Sequence, residues 1–119
     1  MNKKICIISS HSPYGTNHVR DGIETLLVAA SYDLAASLLL LGEGVLQLLD
    51  QQSPEALPQK NSAAMLQAAE LYGVEAIYAC WEDLEHYGLT AADLHPQPTI
   101  IAKNEVAALL QNFNLALNF

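Results

Sequence analysis

The chain is short of positive charge. Lys and Arg together number 5 against 13 Asp and Glu, a formal charge of −8. Nucleic-acid binders usually carry a basic patch that displaces counterions from phosphate. Here Lys3, Lys4, Arg20, Lys60 and Lys103 are spread thinly along 119 residues. Direct binding of RNA or DNA by this chain alone is not expected, whereas a protein partner of opposite charge remains open. Cysteine is equally scarce: Cys6 and Cys80 are the only two. A secreted disulfide scaffold of this length would use more. The longest apolar run, Leu34 to Leu41 broken by Ser37, is too short to cross a bilayer. The opening residues offer no signal-peptide core. These absences together suggest a soluble protein of a reducing, cytoplasmic compartment with no membrane association.

Apolar residues make up 51% of the chain, enough for one core and at the upper end of the usual range. One domain spanning 1–119 is expected, without help from a disulfide or a metal. The surplus of apolar surface points to subunit contacts.

The periodicity alternates between strand and helix. KKICIIS (3–9) is a short β-branched strand. SSHSPYGTNH follows as a loop, broken by Pro13 and Gly15. Val19, Ile23, Leu26, Leu27 and Ala30 then share one helix face, with Asn17 placed to cap it. Leu34 to Leu41 has the unalternating apolar character of a strand buried on both faces, and Gly42 and Gly44 end it. Val45 to Leu49 is read as a short helix, and DQQSPEALPQKN as a surface loop. Asn61 or Ser62 would cap a helix carrying Met65, Ala69 and Tyr72, stopped by Gly73. Val74 to Ala79 is the third strand, Trp81 to Tyr87 a short helix stopped by Gly88, and LTAADLHPQPT a loop. Thr99 to Ala102 is a fourth strand. Val106, Leu109, Leu110 and Phe113 mark a last helix, and Leu115 to Phe119 a closing strand. The fold class is therefore α/β: a single small Rossmann-like domain of about five mostly parallel strands with helices on both faces.

Ligands of such sheets bind beyond the carboxyl ends of the strands, which singles out the loops after Ser9, Leu41, Cys80 and Lys103. The first loop has Gly15 alone, with neither GxGxxG nor a Walker pattern, so no nucleotide cofactor is implied. The histidines His11, His18, His86 and His95 lack the tight spacing with cysteine that a structural zinc requires. No metal site is expected, and sequence order alone assigns no Ser-His-Asp triad. Cys80 is the residue with two faces. It ends a strand just before a helix, where helix N–H groups favour a thiolate. Yet Glu82, Asp83 and Glu85 follow at once, and negative charge raises a thiol pKa. A small buried residue without chemistry accounts for it as well. Cys6, inside the first strand, reads as core.

The stretches SSHSPYGTNHVRDGIETLL, LLLLGEGVLQLL, LYGVEAIYACWEDLEHYGL and NLALNF, in that order, resemble the DsrE/DsrF-like family, in particular its DsrF-type sulfur-relay subunits. The resemblance implies a Rossmann-like domain. It also implies a heterohexamer with TusB-type and TusD-type chains, two copies of each. That complex passes persulfide sulfur from TusA toward TusE and on to 2-thiolation of the tRNA wobble uridine. The implied sulfur carrier is a cysteine of the TusD-type chain, at the place that Cys80 occupies here. An accessory, non-catalytic subunit is the reading that follows. The alternatives are a sulfur transferase in its own right, with Cys80 as catalytic persulfide carrier, and a small-ligand module at the strand ends. The contact surface is expected on the loop Ser9 to His18 and the segment Gly42 to Leu49, with Tyr14, Gly15 and Val45 as candidate interface residues.

Overall fold

The computed structural model describes residues 3–12, 18–49 and 65–119. Five strands form one sheet: β1 (Lys4–Ser9), β2 (Ala35–Leu40), β3 (Ala76–Cys80), β4 (Thr99–Ile101) and β5 (Leu115–Asn118). Their order is β4-β3-β2-β1-β5 and every pairing is parallel. The helices are α1 (His18–Ser31), α2 (Trp81–His86) and α3 (Val106–Leu110). Four 3-10 segments join them, at Gly42–Leu48, Ala69–Tyr72, Ala91–Asp93 and Lys103–Glu105.

Alternation along each strand divides the core into two layers. Ile7, Leu38, Leu40 and Ala79 face α1, whose Val19, Ile23, Leu26 and Ala30 are buried against that layer. Cys6, Ile8 and Leu39 form the opposite layer with Tyr78, Ile101, Val106, Leu109, Leu110 and Phe113. The second layer follows from topology. β5 lies beside β1, on the far side of the sheet from β4, so the chain between them must cross the sheet. Its apolar stripe seals the face that α1 leaves open.

Most boundaries agree with the periodicity to within two residues. Gly73 and Gly88 do take positive φ, 92° and 69°, the left-handed stop that glycine adopts without a Cβ clash. Three elements differ. The helix expected to carry Met65, Ala69 and Tyr72 gives way after residue 67 to a 3-10 turn, Ala69–Tyr72. The short helix expected from Val45 is a seven-residue 3-10 segment that already begins at Gly42, so both glycines lie inside it and do not precede it. The last helix stops at Leu110, although Phe113 still packs with its stripe. The caps expected at Asn17 and at Asn61 or Ser62 lie outside the described residues.

Candidate functional site

Parallel pairing brings the ends of β1, β2, β3 and β4 to one edge. Ala79 is level with Leu40, which is level with Ser9. Cys80 is one step further, level with Ile101 on β4. Cys80 is thus the last residue of β3 and the residue from which α2 starts.

Each neighbouring loop is fixed by named contacts. After β1, Ser9 is buried, and its hydroxyl accepts a bond from Gln47 Nε2 at 2.7 Å. Gln47 Nε2 also reaches the His11 carbonyl at 3.2 Å. Gly44 passes so close to β1 that a Cβ there would collide with Ser9 O and stand 3.0 Å from Ser9 C. Only glycine permits that approach. His11 donates through Nδ1 to the Phe119 main-chain oxygen at 3.1 Å and stacks on His18 with ring centroids 4.7 Å apart. These two histidines, seven apart in sequence, do come together. Among the described residues, however, no group of three His, Cys, Asp or Glu side chains could hold a metal ion.

After β2 and β3 the central group is Asp83, in the first turn of α2 and almost wholly buried. Its Oδ2 accepts the Gly42 N–H at 2.9 Å. Its Oδ1 accepts from Lys103 Nζ at 2.8 Å. Glu82 Oε1 accepts the Lys103 backbone N–H at 2.8 Å. One carboxylate therefore links the loops after β2, β3 and β4, and a second ties the last of these again.

Cys80 lies behind these ties with no accessible surface. Burial pushes its thiol above the ordinary range; Asp83 and Glu82 push the same way, and Lys103 opposes them. The acidic handicap visible in the sequence is real. Its counter-charge was not visible there, because Lys103 reaches the site only through the β3–β4 register, 23 positions further along the chain. Cys6 shares the sheet face but is far off. Two strand spacings and four residues separate the pair, about 10 Å across and about 13 Å along, beyond the reach of a disulfide. Both thiols are free.

Of the residues expected at an interface, Tyr14 and Gly15 lie outside the described residues. Val45 lies within them, in the segment after β2. Its side chain is fully buried in the α1-side core, so it supports the Gly42–Leu48 segment from beneath and offers no contact surface. An apolar residue at a loop start reads equally well as contact or as anchor, and here the core claims it.

The DsrE/DsrF-like family model matches residues 3–119. The chain belongs to the DsrE/DsrF-like family. Relatives within it agree over nearly the full length. A protein named TusC homolog from Vibrio parahaemolyticus is 33% identical over 108 residues, covering 91% of this chain and 92% of its own. A protein named TusC from Buchnera aphidicola is 29% identical, covering 98% and 99%. Among solved structures, the ychN protein from E. coli superposes with a TM-score of 0.79 at 21% identity, covering 98% of this chain and 99% of that one. At that identity it shares the fold, and it supports the single-domain α/β description of this family member.

Proposed function

We propose that this chain is a non-catalytic, accessory subunit of a TusBCD-type persulfide relay that supports 2-thiolation of the tRNA wobble uridine in the cytoplasm. Its partners in this reading are TusB-type and TusD-type chains in a heterohexamer, with TusA upstream and TusE downstream. Family membership and the TusC-named relatives supply the setting. One observation carries the accessory role: the cysteine at the strand end has no accessible surface and a thiol that burial keeps protonated. In sulfur relay an acceptor thiolate attacks the outer sulfur of a persulfide. A new S–S bond forms as the donor's breaks, and the donor leaves as a thiolate. A group that is neither exposed nor ionised is poorly suited to begin that step. The carrier is then a cysteine of the TusD-type partner.

The test is intact-mass analysis of the co-purified complex after exposure to a persulfidated TusA-type donor, with Cys80→Ser run beside it. The expected result is a sulfur gain on the TusD-type partner, none on this chain, and unchanged transfer in Cys80→Ser. Sulfur found on this chain and lost in Cys80→Ser would establish the other reading, in which this chain is itself a transferase.

A further inference from the structure

We propose that Asp83 is a latch. It holds the loops after β2, β3 and β4 closed over Cys80, so that the thiol is reached by local opening of this one edge while the rest of the fold stays intact.

The geometry separates the two cysteines. Cys6 sits in mid-strand on β1, which is paired on both sides, with β2 and β5. Exposing it means lifting the whole stripe of Val106, Leu109, Leu110 and Phe113 from the sheet. Cys80 is the last residue of β3, next to a three-residue edge strand. Among the described residues the elements beside it are short: the six-residue α2 and the turn at Lys103–Glu105. Segments with little buried apolar surface open at lower free energy than central strands. Beside the apolar packing of Leu84 and Ile101, this edge is restrained by polar ties: Gly42 N–H and Lys103 Nζ on the two oxygens of Asp83, and the Lys103 N–H on Glu82. Asp83 holds a position in the first turn of α2 from which an acidic side chain commonly turns back onto its own helix end. Here it reaches sideways instead, to two other loops. The latch goes beyond the accessory-subunit reading and does not depend on whether Cys80 ever carries sulfur.

Because both cysteines are in one chain, Cys6 serves as an internal reference for opening of the sheet centre and the stripe that covers it. The full-length protein is alkylated with iodoacetamide, and the rate at each cysteine is read by peptide mass analysis. When opening is fast relative to labelling, the rates track the open populations. In the wild type, Cys80 is expected to react at least about tenfold faster than Cys6. Asp83→Ala removes both bonds to the carboxylate and raises the Cys80 rate, compared at equal thiolate fraction because loss of the acid also eases ionisation, by a further factor of about ten. The Cys6 rate then rises only as far as the measured loss of global stability requires. Lys103→Met, at a largely exposed side chain, is the variant that must fold in any case. It raises the Cys80 rate about threefold, the worth of one exposed ion pair, and leaves Cys6 unchanged. Loss of the lone cation beside the thiol would by itself lower the thiolate fraction, so a faster rate reports access and not acidity. Equal rates at Cys6 and Cys80 in the wild type overturn the latch. So does a Cys80 rate in Lys103→Met that, compared at equal thiolate fraction, is at or below that of the wild type.

Discussion

Cys6 and Cys80 show how position alone divides one residue type. Both are buried on the same face of the sheet, and neither is bonded. Burial drives the Cys6 thiol from 9.0 up to about 11, with no charged neighbour contributing. This shift has a consequence for stability. The folded thiol keeps its proton to higher pH than the unfolded one. The stabilisation is therefore complete below the unfolded pKa and is lost as pH rises through the folded value. Between about pH 9 and 11, Cys6 alone is expected to remove roughly 2 to 3 kcal/mol. Urea titrations at pH 8 and near pH 11 (about the folded value) test this, with Cys6→Ala as the control. The variant is less stable at pH 8 because of the cavity, and its decline with pH is shallower. Equal declines in wild type and variant would show that the alkaline loss arises elsewhere. Lys103 shifts in the same direction: its hydrogen bond to Asp83 raises its pKa, so on the alkaline side the latch holds until this lysine loses its proton.

The Gly42–Leu48 segment shapes the site most and was least legible in the sequence. Its two outer-turn glycines have different reasons to be there. Gly42 takes φ 53° with open space where a Cβ would go, whereas Gly44 lies against the β1 backbone. Gly42→Ala is expected to cost about 1 kcal/mol, the left-handed penalty. Gly44→Ala is expected to cost about 3 kcal/mol, since a main-chain carbonyl cannot rotate aside as a side chain does. Midpoints of urea denaturation rank the two, and the reverse order would contradict the close approach. A 3-10 turn has no apolar period to read, so GEGV resembled the end of a strand followed by a helix. The strands and α1 were legible because burial on both faces left short unbroken apolar runs such as IleCysIleIle, and burial of one face imposed a 3.6 period on Val19 to Ala30. That Val45 points into the core was not legible, because an apolar residue looks alike as anchor or as contact. The Asp83–Lys103 pair was hidden for another reason. It depends on the register of two strands, and nothing local in WEDLEH or AKNE specifies it. Cys80 was legible as a strand-end residue, whereas its closure was a property of three loops at once.

Among the described residues the few cations are dispersed, and Arg20 and Lys103 are each paired with an acid. Arg20 Nε lies 2.9 Å from Glu24 on α1. Lys103 is held by Asp83 at the carboxyl edge. Lys4 extends over the Phe113 ring, 5.6 Å from its centre, at the opposite end of β1. Among the described residues these cations form no continuous stripe, and Glu43, Glu82 and Asp83 stand around the strand ends. A polyanion approaching that edge meets like charge, and affinity for phosphate backbones scales with the counterions that a basic surface releases. The chain alone should therefore leave tRNA unretarded in a native gel at about 0.15 M salt and about 100 μM protein, conditions under which basic proteins bind nucleic acid without regard to sequence. Retardation at tenfold lower protein would mean that these dispersed cations suffice to hold a phosphate backbone. It would also move the contact with tRNA from the downstream partners to this chain. The expected result leaves protein surfaces as its targets. The half-exposed Trp81 and Ile100 flank the latch at the β4 edge, so a partner that docks there would bear directly on whether Cys80 opens.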